Sequence, residues 1–134
     1  MNTEKLLIAS GPVIVENEKV LLDQHGDTEF WKFCGGRTNN FNSDLISIAK
    51  KRAKEELGID VKIINPDPFL MYVKKETPEG IIDVILVHYL AERIGEIIPA
   101  DFVVKWNWIS LDDLKNENLA PNIIPALQHF GFIK

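Results

Sequence analysis

The sequence predicts an α+β fold: a mixed β-sheet flanked by helices, forming a single domain over residues 1–134. Three observations predict it. Aliphatic and β-branched runs separated by a polar turn fill residues 6–25. Residues 43–57 carry apolar side chains at helical spacing. Residues 81–93, "IIDVILVHYLAER", are apolar nearly throughout, as in a central strand covered on both faces. A chain of 134 residues that is 46% apolar can build one core of ordinary domain size.

The elements follow in order. Val13 to Val15 and Val20 to Leu22 read as two strands around the polar turn Glu16-Asn17-Glu18-Lys19. The aromatic segment "EFWKFC", residues 29–34, reads as a short strand running into Gly35-Gly36. The helix over residues 43–57 has Asn42 or Ser43 as its cap and Gly58 as its stop. Residues 61–75 give two strands separated by Pro66 and Pro68, and "ETPEG" is a turn before the central strand. "IPADF" is a loop, and "VVKWNWISL" is another strand. A helical turn over residues 112–116 and a final helix over 122–130 complete the chain. No repeat, low-complexity segment or linker is visible.

Composition restricts the function. The formal net charge is −5, which argues against a nucleic-acid partner, because a phosphate backbone calls for a basic surface. Small anionic ligands remain compatible with it. Cys34 is the single cysteine, so no intramolecular disulfide forms and a cytoplasmic setting is expected. The apolar run near the N-terminus is too short for a signal-peptide core or a membrane span, so no membrane partner is expected.

The helix over 43–57 carries the chemistry. Leu45, Ile46, Ala49, Ala53 and Leu57 share one face, and Lys50, Lys51 and Lys54 point away from it. Arg52, Glu55 and Glu56 lie on its border. Adjacent carboxylates at such a border are hard oxygen ligands suited to Mg²⁺ or Mn²⁺, which in turn bridge phosphate oxygens. An exposed ion pair is the simpler reading of the same residues.

The segment from Cys34 to Ile59 resembles the Nudix box, G-x5-E-x7-R-E-U-x-E-E-x-G-U with U aliphatic, the signature of hydrolases of nucleoside diphosphates linked to another group. Ala53, Glu55, Glu56, Gly58 and Ile59 match, as do Gly35 and Gly36 at the start. Trp31 and Phe33 resemble the aromatic lead-in, and Trp108 with "ISLDDL" resembles the tryptophan strand and short acidic helix that follow. The resemblance implies a Nudix-type α/β/α sandwich, a small-molecule nucleotide substrate, and Mg²⁺ or Mn²⁺ bound by Glu55 and Glu56. Those two residues, with Asp101 as a distal acid, are the implied catalytic set; Asp83 and Glu92 are weaker alternatives to Asp101.

The box departs from the family pattern at three positions. Ser43 stands for the first glutamate, Lys51 for the arginine and Arg52 for a metal-binding glutamate, and the loop between Gly36 and Ser43 is one residue longer. A guanidinium at Arg52 repels a divalent cation and can stand in for it by hydrogen bonding to Glu56. Two functions therefore stay open: a divergent pyrophosphate hydrolase, and a catalytically silent nucleotide-binding or regulatory module. In either, Gly35, Gly36, Arg37 and Arg52 are the expected phosphate-binding residues, and Phe30 and Trp31 the expected base-stacking ones. Trp106 and Trp108 share a strand face with Val104, so one of them is expected in the core. His88 reads as a core histidine, and His25 and His129 as residues with no catalytic neighbours.

Overall fold

The computed structural model describes residues 6–26, 29–38 and 44–134. Among them lie eight strands, two α-helices and one 3₁₀ segment. The strands are β1 (Leu6–Val13), β2 (Val15–Glu16), β3 (Lys19–His25), β4 (Gly36–Thr38), β5 (Asp60–Ile63), β6 (Phe69–Thr77), β7 (Gly80–Ile94) and β8 (Val103–Ser110). Helix α1 spans Leu45–Leu57, the 3₁₀ segment Leu111–Asn116, and helix α2 Ile123–His129. No helix among the described residues is long and apolar enough to cross a membrane.

Two sheets form. In the larger, β4, β1, β7 and β5 are neighbours in that order, and β6 also pairs with β7. The β1–β7 pair is parallel and the others antiparallel, so the sheet is mixed. The smaller sheet has the order β2-β3-β8. Its hairpin turns at Asn17 and Glu18, both at positive φ (52° and 63°), the conformation a two-residue hairpin loop requires. As expected, β7 is central, with Val84, Val87, Tyr89 and Ala91 buried along it.

The core is divided between the two faces of the small sheet. On one, Val20, Leu22 and Ile109 pack with Phe33 and with Ile123, Ala126 and Leu127 of α2. On the other, Leu21 packs with Cys34, Ala91 and with Ala53 and Leu57 of α1. Alternation along β3 thus feeds two cores from one strand. Each fully buried aliphatic side chain contributes about 1.5–3 kcal/mol.

Helix α1 begins at Leu45, two residues later than expected. Asp44 is its cap, its Oδ1 accepting from the Ile46 amide at 3.1 Å. The caps expected from the sequence, Asn42 and Ser43, lie outside the described residues. Gly58 ends the helix at φ 69°, as expected, and Ile98 packs against it so closely that a Cβ there would sit 2.6 Å from the Ile98 carbonyl oxygen.

Two local expectations are corrected. Residues 29–34 form no continuous strand; Lys32 bridges Asp23, and Trp31 bridges Leu119. The segment is pulled between two partners and cannot pair along either. Val13 to Val15 is not one strand: Val13 ends β1 in the larger sheet and Val15 opens β2 in the smaller, while Gly36 is the first residue of β4, opposite Ser10 of β1.

Candidate active site

Helix α1 brings Arg52, Glu55 and Glu56 to the side of the molecule where β3 ends. Glu55 is exposed, and its carboxylate meets Arg52 Nη1 at 3.0 Å and Lys51 Nζ at 3.9 Å. The other end of the Arg52 guanidinium donates from Nη2 to the Arg37 carbonyl at 2.7 Å. Its stem lies against Gly36, where an added Cβ would be 2.8 Å from Arg52 Cδ. Arg52 therefore pairs with Glu55, not with Glu56 as its spacing suggested. It spans a carboxylate and a backbone carbonyl, two oxygen donors of the type a hard cation binds.

Glu56 turns inward and is only 3% exposed. Its Oε2 lies 2.9 Å from His25 Nε2 and 3.5 Å from Lys32 Nζ. Asp23, completely buried, approaches the same two groups: Oδ1 is 3.6 Å from His25 Nε2 and 3.5 Å from Lys32 Nζ. These are close charge contacts rather than aligned hydrogen bonds, and both Asp23 oxygens and Glu56 Oε2 are buried without one. The Lys32 ammonium also donates to the Phe33 carbonyl at 3.0 Å. The His25 ring is held edge-on to Phe102, their centroids 5.2 Å apart.

The electrostatics follow from this crowding. Burial pushes the Glu56 carboxyl up to about 7, more than the neighbouring His25 can pull it back. The carboxylates of Asp23 and Glu56 raise His25 to about 9. Burial acts to raise Asp23 too, but His25, Glu56 and Lys32 together outweigh it and hold its pKa below the usual value. Cys34 lies beside this cluster, its thiol pushed well above its ordinary range by burial and then by the charges of Glu56 and Asp23. It is buried and un-ionised, as expected of a core residue and not of a nucleophile.

The other expected site residues are more dispersed. Gly35 leads into β4, Gly36 opens it, and Arg37 is exposed on it. Asp101 is exposed in the turn before β8, just after Ala100, whose amide donates to the Glu56 carbonyl at 2.9 Å. Phe30 is 37% exposed, whereas Trp31 is tied by backbone hydrogen bonds to Asn118 and Ala120 and packs against the core under α2. Trp108 packs into the core below α1 while Trp106 stays 38% exposed. Of the weaker acids, Asp83 accepts from the Tyr72 hydroxyl and Glu92 is exposed. His88 is buried as expected, its Nδ1 3.5 Å from Asn122 Nδ2.

Asp23, His25 and Lys32 did not stand out in the sequence, where nothing was expected beside His25; Asp23 and Glu56 both approach its Nε2. A signal was present. In "VLLDQH" the register that buries Leu21 also sends Asp23 and His25 to the same face, so a charged residue occupies a core position. The recess of about 490 Å³ lined by Val15, Asn17, Glu18, Leu111, Asp112 and Phe132 is elsewhere. It lies at the hairpin end of β3, roughly 20 Å along the strand from His25. No basic side chain lines it, so it is poorly suited to phosphate.

The fold and the helix with its acidic end define the class. The NUDIX domain family model matches residues 7–130, and the chain belongs to that family. No curated protein matches it. Solved structures similar to it include the E. coli ORF135 protein, 23% identical over 95% of this chain and 89% of that one, with a TM-score of 0.69. A MutT NUDIX hydrolase from Burkholderia pseudomallei is 23% identical over 93% and 98% of the two chains, with a TM-score of 0.74. An ADP-ribose pyrophosphatase from Streptococcus suis is 25% identical over 91% and 87%, with a TM-score of 0.65.

Hydrolases of this family generally use divalent metals. The Glu55–Glu56 pair does not offer such an ion a shared seat as it stands. Arg52 holds Glu55 on the outside, while Glu56 is turned inward onto His25 and Lys32. The donor set that does converge is Asp23, His25 and Glu56, whose ligand atoms all lie within 4.8 Å of one another.

Proposed function

We propose that the protein hydrolyses the pyrophosphate bond of a nucleoside diphosphate linked to another group. The observation that carries this reading is the inward-turned Glu56, a buried acid with its pKa near neutrality, set among Asp23, His25 and Lys32 at the end of the box helix. A carboxyl poised near pH 7 is what general-base activation of water calls for. Arg37, Arg52 and Lys32 supply positive charge for the phosphates, and Arg52 can exchange its contact with Glu55 for a phosphate oxygen. Phe30 is the exposed aromatic we assign to stacking on a base, and Asp101 stands in the turn leading into Phe102, which contacts His25. Similarity to an ADP-ribose pyrophosphatase and a MutT protein supports a small nucleotide substrate. A cytoplasmic location fits such a substrate.

A second reading, a silent nucleotide-binding module, is favoured by one observation: Arg52 already occupies the oxygens of Glu55 and Arg37. A phosphate-release screen over dNTPs, ADP-ribose and dinucleoside polyphosphates, run with Mg²⁺ and with Mn²⁺, separates the two. Turnover of at least one compound, reduced 10²-fold or more in kcat by Glu56→Gln, is expected. Nucleotide binding by calorimetry with no turnover under either ion would establish the silent module instead.

A further inference from the structure

We propose that Asp23, His25 and Glu56 form a binding site for a first-row transition-metal ion, with Lys32 as the built-in cation that competes for it. The site shares Glu56 with the acidic box pair, but its other two donors come from β3, and one of them is an imidazole nitrogen.

The geometry carries the inference. Asp23 and His25 are two residues apart on β3 and therefore project from the same face, and α1 brings Glu56 against them from the opposite side. His25 Nε2 is 2.9 Å from Glu56 Oε2 and 3.6 Å from Asp23 Oδ1. Donors bound at about 2.1 Å to one ion are separated by such distances when they subtend roughly 90° to 120° at it. With all three donor atoms within 4.8 Å of one another, side-chain adjustment of about 1 Å or less would bring them onto a common ion. Three protein donors would leave positions open for water or a phosphate oxygen.

The environment points the same way. Asp23 is completely buried, and neither of its oxygens has an aligned hydrogen bond; the same holds for Glu56 Oε2. Buried carboxylates are normally hydrogen-bonded, paired in good geometry or bound to a metal. Lys32 compensates them only loosely, from 3.5 Å on each side. Its side chain is 22% exposed, so its ammonium has a short way to swing into solvent when an ion enters. Without an ion, protonated His25 shares this compensation with Lys32; one divalent ion would balance the two carboxylates once His25 releases its proton to solvent and Lys32 swings out. The edge-on contact with Phe102 fixes the imidazole plane, as a ligand ring requires.

The donor set selects the ion. An imidazole nitrogen with two carboxylates suits Mn²⁺, Fe²⁺, Co²⁺ or Zn²⁺, whereas Mg²⁺ prefers oxygen ligands and retained water. Use of the ion in catalysis rests on the hydrolase reading; its binding does not.

Titration of the full chain with Co²⁺, followed by visible absorption, tests the site. Uptake of one ion per chain is expected, with a ligand-field spectrum that Zn²⁺ abolishes and excess Mg²⁺ does not. His25→Gln and Asp23→Asn should each weaken Co²⁺ binding tenfold or more, and Lys32→Met should strengthen it by at least tenfold. Glu55→Gln should leave it unchanged. Absence of a Co²⁺ spectrum in both the parent chain and Lys32→Met would overturn the proposal, as would binding that depends on Glu55 and not on His25. Co²⁺ binding without turnover of any nucleotide would retain the site and reject the hydrolase; turnover with Mg²⁺ and no Co²⁺ binding would do the reverse.

Discussion

At the scale of the residue, Arg52 and Glu56 decide what the box helix can do. They are four positions apart, close enough on a helix to pair, yet they face different partners. Arg52 goes outward because the Arg37 carbonyl and Glu55 both accept from it there. Glu56 goes inward because Lys32 and His25 compensate its burial. Arg52→Glu would place a second carboxylate beside Glu55 and the Arg37 carbonyl, an all-oxygen set of the type Mg²⁺ uses. Calorimetry with Mg²⁺ should show affinity rising tenfold or more over the parent chain; unchanged affinity would mean that Arg52 does not stand at a cation position. The identities of Glu55, Glu56 and Arg52 were legible from the box. The company of Glu56 was not, because Asp23 and His25 precede it by more than thirty residues.

At the scale of the element, local signals set most boundaries. The left-handed stop at Gly58, the two-residue hairpin at Asn17-Glu18 and the β6–β7 turn before Gly80 all arise from nearest-neighbour sterics. The segment over residues 29–34 misled for the opposite reason. Its aromatic content suits a strand, but Lys32 bonds to Asp23 while Trp31 bonds to Asn118 and Ala120. Strand β1 adds a constraint that periodicity does not show. A Cβ at Gly11 would sit 1.9 Å from the Cys34 carbonyl oxygen, so β1 and the lead-in to the box touch backbone to backbone. Gly11→Ala should therefore cost about 3 kcal/mol through overpacking. Urea unfolding measures it, and a loss below about 0.5 kcal/mol would show that the two segments move apart freely.

At the scale of the whole molecule, the cores under α1 and α2 must assemble together because β3 contributes to both. His88 reports on that assembly: it lies on β7, against Phe33 and beside Asn122 at the start of α2. Burial, aided by the charge of Lys32, drops its pKa from 6.5 to about 3. The unfolded chain thus takes up a proton near pH 6.5 that the folded chain refuses until about pH 3. The stabilisation linked to neutral His88 is complete above pH 6.5 and is lost as pH falls. Relative to His88→Gln, the parent chain should lose about 1.4 kcal/mol of stability per pH unit across this window. Urea midpoints of both proteins between pH 4 and 7 check this, and a difference independent of pH would show that His88 titrates normally. The comparison cancels every other titrating group.

The sequence by itself determined most of the elements, the α+β class, the family frame of the box helix and the substitutions within it. Each of these rests on periodicity, turn chemistry or spacing within a few dozen residues. Only the tertiary structure decided that Glu56 belongs with Asp23, His25 and Lys32, and that Arg52 bridges Glu55 to Arg37. Those contacts depend on how β3 and α1 dock across a shared core. A strand's own pattern says which face a side chain takes, but not what another element brings to that face.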